Sequence, residues 1–307
     1  MQYSNIKDNL INKIFKSENT HHKLIFINVA IFIIIKLIKV IYTLFNIDQV
    51  SYYQLWNNLS LSAHPHMVMH KPWTLFTYMF MHAGFFHILF NMLWLYWFGK
   101  IFMDYLYKRK LLITYILGGL SGAVIYLIVY QFIPYLQERP PLLGMVGASA
   151  SVVAIIVATA TLIPNYRIPV LFFGSIRLKY IAIVLVLIDI LSLEGNNIGG
   201  HFAHLGGALY GFLYIVFYKR GFDFGGWLDR LFDFFDSVFK SIIQGRSKGS
   251  FKVYRNTESK SKPVEKYRET RPDPAIIDNI LDKIAKSGYD SLSEKEKDIL
   301  FNASKKQ

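Results

Sequence analysis

The sequence predicts an all-α membrane protein, a bundle of six transmembrane helices with a small cytoplasmic α-helical C-terminal extension. Hydrophobic residues make up 53% of the chain and charged residues 18%, against about 25% charged residues in a typical soluble domain. The charges are sparse between Ile25 and Tyr218 and crowd the two ends, as in a membrane domain with polar termini. Six stretches are also apolar over roughly the 20 residues that a membrane-crossing helix needs.

The predicted spans follow one another with short connections. Lys36 and Lys39 interrupt the first span, so its outer end is expected to be short or tilted. Between the fourth and fifth spans, Ile168–Ile176 is apolar but includes Pro169 and Gly174, which favour an extended segment at the membrane edge over a seventh helix. The six spans are Leu24–Phe45, Gly84–Tyr105, Leu111–Ile133, Met145–Ile163, Leu178–Leu193 and Ile198–Tyr218.

Lysine and arginine residues in the loops predict the orientation of the bundle. They are concentrated in alternate connections, and in membrane proteins the cytoplasmic loops carry the excess of these residues. Both chain ends, and the loops after the second and fourth spans, are therefore predicted to be cytoplasmic. The residues that carry this prediction are Lys7, Lys13, Lys16, Lys23, Lys108, Arg109, Lys110, Arg167, Arg177, Lys179, Lys219 and Arg220.

The chain divides into five predicted segments. A cytoplasmic N-terminal segment, residues 1–23, precedes the membrane domain, residues 24–220. Residues 221–244 are predicted to form an amphipathic interfacial helix, because aromatic and leucine side chains recur there at helical spacing. A basic linker rich in Ser and Lys, residues 245–272, leads to a helical hairpin, residues 273–307.

Capping signals predict the C-terminal hairpin. Asp273 begins one helix with a proline at the first helical position, and Gly288 lies just past the end of that helix. Ser293 and Glu296 form a capping box for the second helix. Two short helices bury little core, so the hairpin is expected to dock on a partner that the sequence does not identify.

The composition also limits the partners. The formal net charge is +13, but the basic residues lie beside apolar spans and in the tail, which favours a bilayer with anionic headgroups over nucleic acid.

The chain has no cysteine, which excludes disulfides and Cys-based metal sites, and no metal or cofactor is predicted. His64, His66 and His70 are assigned to a solvated loop. The N-terminus lacks the apolar core and cleavage site of a removable signal peptide.

Polar side chains inside three predicted spans point to a functional site, because such groups are costly in a bilayer. The second span contains His87 and Asn91, the fourth contains Ser149 near its start, and the sixth contains His204. These spans run in the same direction, and each polar residue lies a few positions inside the outer boundary. At 1.5 Å per residue, the residues share a depth of about 5–10 Å below the outer surface.

A serine and a histidine at one depth suggest nucleophilic catalysis. A serine hydroxyl is a weak nucleophile until a base accepts its proton, and His204 is the best-placed base for Ser149. No acidic residue lies within five positions of His204, which predicts a Ser–His dyad without a third member. His87 and Asn91 share one helix face, where they can donate hydrogen bonds to an oxyanion together with the Ser149 N–H.

Small residues line one face of the fourth span and one face of the sixth. Gly207 and Gly211 follow His204 along its face, and the fourth span offers Gly147, Ala150, Ser151 and Ala154. Small side chains let two helices approach closely. A hydrogen bond between a serine and a histidine on different helices requires that approach.

Three other polar residues in the spans receive structural interpretations. Asp189, in the fifth span, is assigned a snorkelling side chain or a structural hydrogen bond in preference to catalysis. His82 and His201 lie near the outer boundary, where a histidine tolerates water, and are expected to support the site.

Together these residues resemble the rhomboid family of intramembrane serine proteases. The family pattern is H-A-x-x-x-H-x-x-x-N in the second helix, G-x-S at the start of the fourth and A-H-x-x-G-x-x-x-G in the sixth. Each motif alone is weakly specific, whereas three in order on the expected spans are strongly specific. The matching residues are His82, Ala83, His87, Asn91, Gly147, Ala148, Ser149, Ala203, His204, Gly207 and Gly211.

The resemblance covers about Leu24–Lys219 and implies a six-helix rhomboid bundle in the cell (inner) membrane. It implies that Ser149 is the nucleophile and His204 the base. The oxyanion hole would consist of His87, Asn91 and the Ser149 amide, supported by His82, Gly147, Ala148 and Gly207. The substrates would be transmembrane proteins, cut at or near a membrane helix close to the outer face. The C-terminal hairpin resembles an extension found on some bacterial members.

Two positions depart from the family pattern. The residue after the serine is usually glycine, and here it is Ala150, which is small enough to keep the packing. Many members carry an aromatic residue four positions after the serine that packs on the histidine, and here that residue is Val153. The second departure removes a known support of His204.

Several other functions were weighed against the sequence. A zinc protease would need H-E-x-x-H, which is not found around His87, and an aspartyl protease would need a second intramembrane aspartate to face Asp189. A transporter would favour broken helices at the midplane and repeated halves, and no repeat is evident. The alternative that stays open is a rhomboid-like protein that binds membrane helices without cutting them.

Overall fold

The computed structural model describes residues 20–170, 174–195, 197–243 and 274–304, which are mostly helical. The predicted basic linker, the Asp273 cap and the N-terminal segment up to residue 19 lie outside the described residues. The chain forms two units, Met1–Arg246 and Ser247–Gln307, and each is described by itself. The five predicted segment boundaries stay predictions.

Each predicted span coincides with a helix in the described part of the first unit. Two strands and several short helices lie between these helices, and 3₁₀ turns follow at Tyr78–Phe80 and Ser192–Glu194. The elements are α1 (Thr20–Leu44), α2 (Gln49–Leu59), α3 (Pro65–His70), α4 (Thr74–Thr77), α5 (Phe85–Tyr105), α6 (Lys108–Phe132), α7 (Pro134–Gln137), α8 (Ser149–Leu162), β1 (Arg167–Val170), β2 (Gly174–Arg177), α9 (Leu178–Leu191), α10 (Ile198–Tyr218) and α11 (Gly226–Ile243).

Three of the described helices are long and apolar enough to cross a membrane, namely α1, α5 and α6. The shorter helix α8 is also apolar. These helices make the chain a membrane protein with an all-α bundle. That all six predicted spans cross the bilayer stays a prediction.

Helix α8 is the centre of the bundle. Every residue from Ala150 to Ala160 is buried, because α5, α6, α9 and α10 pack around the helix. Its side chains are mostly Ala, Val and Ile, so neighbouring backbones come close. A Cβ placed on Gly207 would lie 2.1 Å from the Ala150 carbonyl oxygen, and one on Gly211 would lie 2.2 Å from the Ala154 carbonyl oxygen. The close approach expected of the glycine-lined face is therefore present.

Both lysines that interrupt the first span have partners. Lys36 Nζ donates a 3.0 Å hydrogen bond to the carbonyl of Ala83, just before α5, and Lys39 Nζ lies 5.7 Å from the centre of the Tyr52 ring. Helix α1 continues past them to Leu44, so the expected shortening is not observed. The contact at Ala83 ties α1 to the segment that leads into the second predicted span.

The connection between α1 and α5 contains three short helices that the sequence analysis missed. Residues 49–80 are too polar for a span, but Asp48 caps α2 by accepting a 2.9 Å hydrogen bond from Val50 N. Tyr52 and Trp56 are buried against α1. His66 and His70 are exposed as expected, but they lie in helix α3 and not in a loop.

The described parts of the apolar segment after α8, residues 168–170 and 174–176, are extended, as the sequence predicts. Strands β1 and β2 form an antiparallel hairpin in which Arg167 pairs with Arg177 and Val170 pairs with Gly174. Gly174 has φ +71°, a conformation that glycine adopts readily. The segment therefore returns the chain to the same end of the bundle, where α9 begins.

Helix α11 is joined to the start of α6 by ion pairs. Lys110 is almost fully buried, and its Nζ donates a 2.7 Å hydrogen bond to Asp229 and another to Asp223. Arg109 pairs with Asp233 at a more exposed position. Lys110 was expected to lie in a cytoplasmic loop near lipid headgroups, but the protein itself supplies two carboxylates as its partners.

Replacing Lys110 with methionine is expected to lower the free energy of unfolding by about 2–3 kcal/mol. Breaking a fully enclosed pair costs about 3–5 kcal/mol, and the cost is reduced here because Asp223 and Asp229 are 30% and 21% exposed. Thermal unfolding of the detergent-solubilised protein measures the effect. The control is Arg109→Met, which removes an exposed pair worth about 0–1 kcal/mol. Equal unfolding temperatures for the two variants would contradict the prediction.

The second unit contains α12 (Pro274–Ser287) and α13 (Glu294–Ser304), joined by a 3₁₀ turn at Tyr289–Ser291. Gly288 has φ +77° after the end of α12, as expected of a helix-ending glycine. One half of the predicted capping box is observed, since Ser293 N donates a 2.7 Å hydrogen bond to Glu296 Oε2. Ser293 Oγ also donates a 2.7 Å hydrogen bond to that oxygen. Lys283 Nζ on α12 donates to the same carboxylate, which joins the two helices.

The hairpin is expected to lose stability in acid through Glu296. Its hydrogen bonds to Ser293 and Lys283 lower the pKa of the Glu296 carboxyl to about 2. The unfolded carboxyl has a pKa of about 4.3, so the stabilisation is complete above that value and is lost as the pH falls toward 2. Amide hydrogen exchange of residues 274–304 in the full chain, with Glu296→Gln as the comparison, measures it. The wild type should be better protected at pH 7 and equal to the variant near pH 2, and equal protection at pH 7 would refute this.

Candidate active site

The start of α5, α8 and α10 and the end of α9 enclose a cavity of about 770 Å³. Residues from the loop before α8, including Gly147, complete its wall. The four residues that the sequence analysis assigned to chemistry all line it, together with two polar residues that it assigned to structure. They are His87, Asn91, Ser149 and His204, with Asp189 and His201.

Ser149 and His204 are in hydrogen-bonding contact across two helices. His204 Nε2 lies 2.7 Å from Ser149 Oγ. Ser149 is the first residue of α8 and His204 lies in the second turn of α10, and the contact is possible because Gly207 lets the two backbones approach. The proton of the serine hydroxyl can therefore pass to the imidazole without any rearrangement.

Gly147 shapes the site beside the serine hydroxyl. It has φ +136°, and a Cβ placed on it would lie 2.8 Å from His87 Nε2 and 3.4 Å from Ser149 Oγ. A side chain at this position would therefore fill the space between the histidine ring and the hydroxyl. Ser149 N begins a helix, and the first N–H groups of a helix have no intrahelical acceptor. A substrate carbonyl placed here would meet the Ser149 amide and the His87 ring.

Asn91 lies one turn after His87 and is buried. Its Nδ2 donates a 2.8 Å hydrogen bond to the His87 carbonyl, which fixes the amide on the cavity side of α5. A side-chain amide has two N–H groups, so the second remains available to a ligand in the cavity. His87 and Asn91 thus supply two hydrogen-bond donors to the wall that faces Ser149.

The residues assigned to the support of the site lie around it. His82 is buried, and its ring meets the His87 ring edge-on with 5.1 Å between the ring centroids. Ala148 is completely buried, and its carbonyl accepts a 2.9 Å hydrogen bond from Val152 N in the first turn of α8. Because Gly207 has no side chain, the backbones of α8 and α10 pack directly against each other. These contacts hold Ser149 and His87 in place.

The structure brings into the candidate site an acid that the sequence analysis assigned only to structure. Asp189 Oδ1 lies 2.8 Å from His204 Nδ1 and 2.8 Å from His201 Nδ1, and the residue is only 6% exposed. The expectation of a dyad rested on the absence of acids near His204 in sequence, and Asp189 comes from another helix. The earlier assignment of Asp189 to a structural hydrogen bond is therefore correct in kind, but its partner is the candidate base. A carboxylate inside an apolar span was the available signal.

The same cluster has the composition of a metal site. Asp189, His201 and His204 each offer one ligand atom, and these atoms lie within 4.8 Å of one another. The two 2.8 Å separations are those of hydrogen-bonded groups. A metal ion bound here would take His204 Nδ1 as a ligand and displace its hydrogen bond to Asp189.

Val153 occupies the position at which many family members carry an aromatic residue, and it has no ring to pack on His204. Val153 is buried and lines the cavity with its aliphatic side chain. Among the described residues, His201 is the ring that lies against His204, at 86° and with 5.8 Å between the ring centroids. The orientation of His204 is therefore set by Ser149 on one side and by Asp189 and His201 on the other.

Comparison with known protein families gives matches in both units. Residues 69–221 match the family described as the Rhomboid domain. That range begins in α3, runs past the end of α10 and contains every residue of the candidate site. Residues 265–306 match a family of unknown function (DUF6576), which covers the C-terminal hairpin.

A curated relative supports the first match. The chain is 35% identical over 145 residues to a protein of Arabidopsis thaliana called RHOMBOID-like protein 12, mitochondrial. The aligned region covers 44% of this chain and 43% of the relative. The chain thus spans less than half of the length of the relative that it matches.

Proposed function

Since the chain belongs to the rhomboid family, we propose that it is a serine endopeptidase that cuts membrane-protein substrates within the bilayer. The 2.7 Å contact between His204 Nε2 and Ser149 Oγ, inside a cavity that also contains hydrogen-bond donors, is the observation that carries the proposal. A helix-binding protein without proteolytic activity would have no use for a serine held against a base.

The proposed reaction begins with attack of Ser149 Oγ on the scissile carbonyl carbon. His204 Nε2 accepts the hydroxyl proton, and the carbonyl oxygen becomes an oxyanion. His87, Asn91 and the Ser149 N–H donate hydrogen bonds to that oxyanion, and such donors are worth about 10²–10³-fold each in rate. His204 then gives its proton to the leaving amine, and a water molecule activated by the same ring hydrolyses the acyl-enzyme.

The substrates proposed are transmembrane proteins with a cleavage site near the outer face of the membrane. The cavity lies at the ends of α5, α8 and α10 that face the predicted outer side, so a membrane helix would have to unwind locally to reach Ser149. We place both chain ends in the cytoplasm and the protein in the cell (inner) membrane. This orientation follows from the basic loops alone.

Cleavage of a single-span reporter by purified protein in detergent tests the proposal. The wild type should cut the reporter, and Ser149→Ala should not. Ser151→Ala is the matched control, because Ser151 lies in the same helix α8 but is buried with its Oγ facing Gly119 on α6. Equal cleavage by wild type and Ser149→Ala would refute the proposal. Cleavage by none of the three would favour the helix-binding alternative.

A further inference from the structure

Asp189 connects the end of α9 to the candidate base on α10. Its Oδ1 lies 2.8 Å from His204 Nδ1, on the side of the imidazole ring opposite Ser149. The carboxylate is 6% exposed and lies in an otherwise apolar helix, where an acid is costly unless it is hydrogen bonded. The carboxylate, the imidazole and the hydroxyl thus form one continuous line of hydrogen bonds drawn from three helices.

The contact fixes which ring nitrogen of His204 carries the proton. An ionised carboxylate only accepts hydrogen bonds, so His204 Nδ1 has to donate to it. In the neutral ring, Nε2 then has no proton and accepts from Ser149 Oγ. This is the tautomer that a general base needs, because the other tautomer would present an N–H to the serine hydroxyl.

A purely structural role would not require this geometry. His201 alone, at 2.8 Å from the same carboxylate oxygen, would satisfy the acid and join α9 to α10. Instead, the Nδ1 atoms of both histidines contact Asp189 Oδ1. These two contacts hold the carboxylate on the side of His204 that faces away from Ser149. Since Val153 offers no aromatic ring to His204, the carboxylate supplies the support that this chain lacks on α8.

We propose that Asp189 is a positioning residue that completes a Ser149–His204–Asp189 arrangement, with its carboxylate selecting the tautomer and orientation of His204. The expected effect of Asp189 on the cleavage rate rests on the proposed protease function. Its expected effect on the tautomer and orientation of His204 does not, because that effect exists in the absence of substrate. Two measurements therefore separate the two claims.

The first measurement compares kcat and KM of Asp189→Asn with those of the wild type on the single-span reporter. The asparagine side chain keeps the size of the acid but can donate to Nδ1, which favours the unproductive tautomer. We expect kcat to fall at least about 100-fold, since the same change in a soluble serine protease costs about 10⁴-fold, with KM within about twofold. EDTA in the assay removes metal from the Asp189, His201 and His204 cluster.

The control for this variant is Glu194→Gln, which neutralises an exposed acid in the 3₁₀ turn just after α9. It should leave kcat and KM within about twofold of the wild type. Cleavage by Asp189→Asn at the wild-type rate would overturn the proposal. A fall in kcat that Glu194→Gln reproduces would also overturn it, because the effect would then belong to charge at this end of the bundle.

The second measurement is the ¹⁵N spectrum of histidine-labelled protein without substrate, with His204→Ala used to assign the His204 signals among the nine histidines. The wild type should show His204 protonated at Nδ1, and Asp189→Asn should shift it toward protonation at Nε2. Protonation at Nε2 in the wild type would overturn the proposal even if the variant failed to fold. If the wild type cuts no reporter, the proposed function fails, and this spectrum still decides the role of Asp189.

Discussion

Replacing His204 with alanine is expected to reduce reporter cleavage by about 10⁶-fold, to the limit of detection. Loss of the base leaves Ser149 Oγ protonated, and in a soluble serine protease removal of the catalytic histidine alone costs about as much as removal of the whole triad. The 2.7 Å contact to Ser149 Oγ makes His204 the candidate base of this site. Steady-state cleavage of the single-span reporter measures the effect.

The matched control for His204→Ala is His66→Ala. His66 is exposed on α3, outside the cavity, and its ring lies 4.5 Å from that of His70. Its loss should leave cleavage within about twofold of the wild type. If the His204 variant kept more than about a hundredth of the wild-type rate, a different group would have to act as the base, since one general base contributes about 10²–10⁴-fold.

Adding one methyl group at Gly207 is expected to disrupt both packing and activity. The Cβ of alanine would lie 2.1 Å from the Ala150 carbonyl oxygen, far inside the 3.4 Å at which ordinary contact begins. Because the obstacle is backbone, α8 and α10 have to separate, and the Ser149–His204 contact crosses the same interface. A shift on the order of 1 Å at a catalytic group can cost about 10²-fold in rate.

For Gly207→Ala we therefore expect about 100-fold slower cleavage and a free energy of unfolding lowered by about 1–3 kcal/mol. The control is Gly226→Ala at the start of α11, where the nearest atom to the added methyl is Asp223 Oδ2 at 3.8 Å. Cleavage rates and thermal unfolding in detergent should separate the two variants. Wild-type behaviour of Gly207→Ala would contradict the close helix contact on which the site depends.

The sequence alone located the bundle helices to within a few residues, because long apolar runs are a strong and local signal. The fourth predicted span, Met145–Ile163, begins too early, since α8 begins at Ser149. Met145, Val146 and Gly147 line the cavity instead. They are held by paired hydrogen bonds between Met145 and Leu61 and by one from Gly147 N to the Tyr78 carbonyl. Those partners lie far away in sequence, so no local pattern indicates them.

The candidate site was predictable where it depends on spacing within one helix. His87 and Asn91 lie one turn apart, and the glycines after His204 mark the face that approaches α8. Contacts between side chains on different helices were harder to predict from the sequence. Asp189 reaches His204 because the turn after α9 reverses the chain and places the end of α9 beside the start of α10.

The partners of Lys110 were missed for the same reason. A run of three basic residues at a predicted cytoplasmic boundary is typical of contact with lipid headgroups. Asp223, just before α11, and Asp229, within it, bring carboxylates to that boundary from more than a hundred positions later. Burial then makes the protein pairs more favourable than exposure of the ammonium group to the membrane surface.

The central claim is that Ser149 is a nucleophile activated by His204. The most direct test is treatment of the purified protein with a fluorophosphonate probe, followed by mapping of the modified residue by mass spectrometry. The probe should modify Ser149 in the wild type and in Ser151→Ala. It should not modify Ser149→Ala, and it should modify His204→Ala much more slowly than the wild type. Labelling of another residue, or equal labelling of Ser149 with and without His204, would contradict the account.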